Sequence, residues 1–267
     1  MTTWRKQLAI RSAPLGVVLI GAVILGGCGG QADMPPARAV APSASRSLAP
    51  APTATIEPSP SSMSAPPQAT PAPIPADGIM RPGTYVTHPL PAPDDALSLT
   101  FTVPAGWYGF GDRTIFPDGA DGTALQFIRV TALNSDLCHW KDPKGDVNVG
   151  TTVDDLVEAL VAQTKFEVSD PVAVSIGGYS GKRVDVVYPA ELFKEKGSSE
   201  APGCDEGVTR LFGDGGIYGQ APNERWQTNI LDVDGTRFVI ILQDDPDTSA
   251  ADHAGTAAIV DSMVIQP

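Results

Sequence analysis

Twelve of the residues between Gly29 and Asp77 are proline, set among Ala, Ser and Thr with few charges and almost no large apolar side chains. No other feature limits so strongly what the chain can fold into. Such a segment cannot bury enough apolar surface to offset the entropy of ordering it, so disorder with polyproline II character is expected. Fully extended at ~3.1 Å per residue, it reaches on the order of 150 Å at most. A tether is the expected role, and its Ser, Thr and Pro content also suits O-glycosylation. Folding is thereby confined to residues 78–267, about 190 residues, the size of one domain.

Ahead of the tether, Arg5, Lys6 and Arg11 form a positive start with no acid, and an apolar run follows from Ala13 to Leu25. A spanning helix needs about 20 apolar residues, so this run is short for one and fits a signal peptide. It ends in Leu25-Gly26-Gly27-Cys28, which resembles the bacterial lipobox, small residues before an obligatory cysteine. The resemblance implies that residues 1–27 are removed and that Cys28 becomes the N-terminus, its thiol carrying a diacylglyceryl group. Each buried methylene contributes about 0.8 kcal/mol, so two or three acyl chains anchor stably where one does not. The expected organisation is a signal peptide over 1–27, the lipidated Cys28 and linker over 28–77, and one domain over 78–267. The membrane is then a partner through the lipid, and the domain sits at the extracytoplasmic face of the cell membrane.

Residues 78–267 carry thirteen basic and twenty-eight acidic groups, a net charge of −15. A field of that sign repels nucleic acid and anionic headgroups, which sets nucleic-acid binding aside. Two cysteines remain after Cys28, namely Cys138 and Cys204. An even pair in an exported protein reads as a disulfide. A metal site on Cys138, His139 and Cys204 is the alternative, but it lacks a fourth ligand and any paired-ligand spacing.

Leu97, Leu99, Phe101 and Val103 alternate with polar residues, the pattern of a half-buried strand. A second β-rich run covers Ala124 to Leu133. Thr152-Val153-Asp154-Asp155 opens a helix with a capping-box-like start, and Val153, Leu156, Val157, Leu160 and Val161 form its apolar stripe to about Thr164. Val172–Ile176 and Lys182–Val187 read as a hairpin, as do Trp226–Asp232 and Thr236–Gln243 around Val233-Asp234-Gly235, where Asp-Gly is a strong turn signal. A last helix is expected from Ser249 to about Ser262, with Val264-Ile265 as a short edge strand. Many strands joined by tight turns and only two helices predict an α+β domain, an antiparallel sheet with both helices packed on it.

The order of strand, Pro104-Ala105-Gly106-Trp107 turn, further strands, hairpin pairs and a closing helix ending Ile259-Val260-Asp261-Ser262-Met263-Val264-Ile265 resembles the PsbP-like superfamily. Gly83-Thr84-Tyr85, Phe101 to Trp107, Cys138-His139-Trp140, Val149 to Leu156 and Ile230 to Gly235 look like an uncharacterised family of secreted bacterial domains. That second resemblance spans most of residues 80–267 and brings no activity. The first implies adaptor or accessory roles through protein contacts.

Catalytic constellations are weak. Gly178-Tyr179-Ser180-Gly181-Lys182 has Lys182 where a nucleophile elbow needs glycine, and its arms read as a hairpin. His88, His139 and His253 stand in no paired ligand spacing. Gly213 to Gly219 places Tyr218 where a phosphate loop needs glycine. Asp232-Val233-Asp234-Gly235 leads to Gln243 at the twelfth position, so it is no EF-hand. A loose cation site at Asp118 and Asp121, or at Asp244, Asp245 and Asp247, stays open beside the reading of solvated turns. Among the aromatics, Trp107-Tyr108 just after a turn is the pair expected to be exposed and to contact a partner, whereas Trp226, at the start of a strand, is expected in the core. The expected function is therefore a non-catalytic binding or accessory domain without metal or cofactor. An envelope hydrolase of unrecognised type and a solute-binding receptor are the alternatives.

Overall fold

A computed structural model of the chain describes residues 70–90, 96–119, 123–142, 144–194, 200–213, 219 and 221–267. The expected signal peptide over residues 1–27, the expected lipidation site Cys28 and the expected linker as far as residue 69 lie outside the described residues. All the described residues belong to one compact unit. In chain order its elements are β1 (Ala72–Pro73), β2 (Asp77–Met80), β3 (Gly83–Thr87), β4 (Ser98–Val103), β5 (Trp107–Phe110), β6 (Thr114–Pro117), β7 (Ala124–Ile128), β8 (Ala132–Leu133) and β9 (Val147–Asn148). Then come α1 (Val153–Val161), β10 (Glu167–Val168), β11 (Val172–Ile176), β12 (Tyr179–Val187), β13 (Arg225–Val233), β14 (Thr236–Asp244), α2 (Ala250–Asp261) and β15 (Val264–Gln266).

A nine-stranded sheet organises the domain, in the order β10-β12-β13-β14-β7-β6-β5-β2, with β11 also paired to β12. Its pairings are antiparallel. Two of its turns are two-residue hairpins with both residues at positive φ, Gly177-Gly178 and Asp234-Gly235, the backbone of a type I′ turn. Because side chains alternate along a strand, the central strands feed two cores at once. Leu231, Val233, Phe238, Ile240, Leu125 and Phe127 point into one, and Ile230, Trp226, Val239, Ile241 and Ile128 into the other.

A four-stranded sheet, β1-β3-β4-β15, closes the first core, joined by Ile259 and Met263 from α2 and its end. Leu97, Leu99, Phe101 and Val103 all lie buried there, as their alternation requires. The second core is closed by Leu156, Val157 and Leu160 of α1 and by Leu137, Leu211 and Phe212 from irregular segments. Thr152 caps α1: its hydroxyl accepts from Asp155 N at 3.1 Å, and Asp155 Oδ2 accepts from Thr152 N at 2.8 Å. Ser249 caps α2 by accepting from Asp252 N at 3.1 Å.

Among the described residues the fold is α+β, with two α-helices and sheets that are antiparallel except at the β1–β3 pair. Three details differ from the sequence reading. A second sheet covers one face, so the helices are not the only cover. Val161 stays exposed, because α1 turns it past the sheet. The fold also begins before residue 78: Ala72 and Pro73 pair in parallel with Tyr85 and Val86, Ile74 is buried, and Asp77 opens β2. Proline is tolerated in β1 because an edge strand can do without the missing donor.

Candidate functional site

Cys138 and Cys204 form a disulfide across 66 positions of sequence, with their Cα atoms 4.3 Å apart. The bond fastens two irregular segments that already pair. Asp205 N donates to Cys138 O at 2.8 Å, Arg210 N to Leu137 O at 2.7 Å, Asn134 N to Leu211 O at 2.8 Å and Gly213 N to Ala132 O at 3.0 Å. His139 Nδ1 lies 3.4 Å from Asp205 Oδ1, and the Arg210 guanidinium sits 5.0 Å from the centre of the Trp140 ring. Both thiols are spent in the disulfide, so they ligate no metal. A cavity of about 260 Å³ adjoins the bond, lined by Leu137, Pro189 and Leu192 and by the charged Asp136, His139, Lys165 and Glu191.

The aromatic pair splits. Trp107 is 4% exposed, in the first core, where its ring meets α2 at Gly255; a Cβ there would lie 3.3 Å from Trp107 Cζ2. The expectation of an exposed Trp107 is thus corrected, since the strand's alternation turns its first residue inward. Tyr108, one residue on, takes the opposite face. It stands directly between Ile79 of β2 and Phe116 of β6, and its ring stacks on Phe116 at 5.1 Å between centroids. None of the three belongs to either core. Ile79, at 65%, is the most exposed large apolar side chain described.

The Tyr108 hydroxyl donates to the Asp77 carboxylate. That hydrogen bond, then burial and the charges of Asp77 and Asp118, raise the Tyr108 pKa above its ordinary value. Sequence reasoning missed Ile79 and Phe116 because β2 and β6 have four residues each. It also counted Asp77 in the tether.

The opposite face of the sheet carries a charged network that no local motif announces. Asp185 lies 3.2 Å from Arg183 Nε and 3.8 Å from Arg225 Nη1. Asp244 lies 3.7 Å from Arg225 Nη2 and 3.3 Å from His253 Nδ1, and accepts from Gln227 Nε2 at 3.1 Å. Charges of both signs alternate through these strands, so the network largely neutralises itself. Asp244 is engaged in it and does not gather with Asp245 and Asp247 around a cation. Among the described residues no three His, Cys, Asp or Glu side chains converge as a metal requires. Asp121, of the other proposed cation pair, lies outside them.

Ser180 is an exposed strand residue opposite Ser175, just past a strand-to-strand turn, which is not the setting of a nucleophile elbow. Gly181 has a packing reason: a Cβ there would sit 2.0 Å from Ile230 O. Trp226 is fully buried, as expected, stacked on Phe212 at 5.8 Å. His88 is exposed and His253 belongs to the network. Tyr188 lies wholly inside the second core, and burial first, then the charge of Glu224, pushes its pKa well up.

No family model and no curated protein matches the sequence. Among solved structures, that of LpqN, described as involved in cell envelope biogenesis of Mycobacterium tuberculosis, is similar at 15% identity. The match covers 70% of this chain and 86% of that one with a TM-score of 0.28, too low to bear on fold or role here. Among the described residues no helix is long and apolar enough to cross a membrane.

Proposed function

We propose that this chain is a lipoprotein anchored through Cys28, displaying on its tether a non-catalytic domain that binds a partner in the cell envelope. The observation that supports binding is the Ile79–Tyr108–Phe116 row, which leaves three large side chains on a sheet face and outside both cores. The Cys138–Cys204 bond agrees with an oxidising compartment, where such bonds persist. The adaptor roles implied by the PsbP-like resemblance run the same way.

Two measurements test the proposal. Cys28→Ala should move the protein from the membrane fraction to the soluble one; an uncleaved variant that still sediments with membranes would refute the anchor. Crosslinking in intact cells, followed by capture of the tagged lipoprotein, should enrich one envelope component. Turnover of a cell-wall substrate by the purified protein would instead establish the hydrolase reading.

A further inference from the structure

We propose that the outer edge of β2 docks an extended peptide segment that sets an apolar side chain opposite Ile79 and, two residues along on the same face, a basic one opposite Asp77. This deepens the binding reading above and rests on it. Among the described residues, β2 is paired only to β5. Gly111 N donates to Ala76 O at 2.7 Å. By antiparallel alternation, residues 76, 78 and 80 therefore face β5, and the N–H and C=O groups of Asp77 and Ile79 point away from the sheet. An incoming strand meets those groups at once, and because Asp77 and Ile79 are two residues apart, the side chains set opposite them share one face of the sheet, where an apolar one packs on Ile79.

Charge selects the partner. The Asp77 carboxylate holds the Tyr108 hydroxyl, and Asp118 lies within electrostatic reach of the same group. The surrounding domain is −15 over residues 78–267. A basic segment is drawn to such an edge and an acidic one is repelled. Length is limited as well: Pro75 and Pro82 flank the four residues of β2, so only a short stretch can pair.

The test uses the full acylated chain in detergent micelles and fluorescein-labelled Lys-Thr-Val-Thr-Lys-Thr-Val, whose Lys and Val share one face, with Glu-Thr-Val-Thr-Glu-Thr-Val as its counterpart, read by anisotropy. The basic peptide should bind, more weakly at high salt, and the acidic one should not. Ile79→Lys and Asp77→Lys should each weaken binding about tenfold, whereas Val161→Lys, at an exposed apolar residue on α1, should leave it unchanged. Ile79→Pro removes an outward N–H without touching a bond to β5, so it separates docking from folding and should weaken binding likewise. Equal binding of both peptides, or binding indifferent to Ile79→Lys, overturns the proposal. So does a wild-type dimer in sedimentation that Ile79→Lys dissolves, since the edge would then serve a second copy. A photocrosslinker placed at Ile79 and, separately, at Val172 distinguishes the two levels. Capture from Val172 alone leaves the binding domain standing and removes the β2 edge; capture from neither, with no peptide bound, removes both.

Discussion

Replacing both Cys138 and Cys204 by alanine should cost about 4 kcal/mol of stability while leaving a folded protein. The bond closes a loop of 66 positions, and the chain-entropy relation for a loop of that length gives about 4 kcal/mol, gained by restricting the unfolded chain. The native segments should persist without it. Four backbone hydrogen bonds join residues 132–138 to 205–213, and Leu137, Leu211 and Phe212 are anchored in the second core. For a domain of this size, about 4 kcal/mol corresponds to a melting temperature lower by on the order of 10 °C. Urea unfolding followed by tryptophan fluorescence measures the loss directly, and free-thiol titration of the unreduced protein should find neither cysteine. The variant's m-value should rise slightly, because an uncrosslinked chain exposes more surface when unfolded. A loss below about 1 kcal/mol would refute the entropic argument and show that the denatured state keeps these segments together. Loss of cooperative folding would refute the claim that the hydrogen bonds and core contacts suffice.

Arg237 donates to the carbonyl oxygens of Gly150, of Thr152 and of Val130, tying the start of β14 to the N-terminus of α1. Arg237→Ala should therefore cost about 2 kcal/mol in chemical denaturation and raise hydrogen exchange in the first turn of α1. Gly181→Ala should destabilise by about 2 kcal/mol or more, since its Cβ would meet the Ile230 carbonyl at 2.0 Å; an unchanged melting temperature would contradict that clash. Asp146 is held to a pKa of about 2, first by the Ser135 hydroxyl at 2.6 Å, then by the Ser135 N–H at 2.7 Å and by Lys141. A depressed folded pKa means the contribution is complete above the unfolded value of ~3.9 and fades as pH falls toward 2. Asp146→Asn should thus lower the melting temperature at pH 7 and cost progressively less between about pH 4 and pH 2.

Where local chemistry decides an element, the sequence is a sufficient guide. The Thr152 and Ser249 caps, the Asp234-Gly235 turn and the alternation from Leu97 to Val103 each depend on residues within a few positions, and each stands where those residues put it. The gaps arise where tertiary pairing supplies what local pattern lacks. β1 and β2 exist because β3 and β5 present partners to residues whose composition alone reads as tether. The hairpin at Gly177-Gly178 is tighter than the five-residue loop expected, because two consecutive glycines at positive φ suffice and Tyr179 already pairs with Ile176. Ala124 to Leu133 splits into β7 and β8 because Ile128 is the last β7 residue to pair with β14, while Ala132 and Leu133 turn to β9.

The Ile79–Tyr108–Phe116 row obeys the same division. Trp107-Tyr108 is singled out by composition, but the two residues occupy opposite faces of one strand, so both cannot share one role. The larger ring goes to the core, where α2 supplies at Gly255 the small residue it needs. The residue left outward acquires its significance from Ile79 and Phe116, twenty-nine positions upstream and eight downstream, which only strand register brings alongside. The charged network is assembled in the same way, Asp185, Arg225, Asp244 and His253 coming from three strands and a helix. The Ile79–Tyr108–Phe116 row and the self-neutralising network thus share the domain because each face of the sheet gathers every second residue. Which face is free follows from where the covering sheet, the helices and the disulfide-linked segments end.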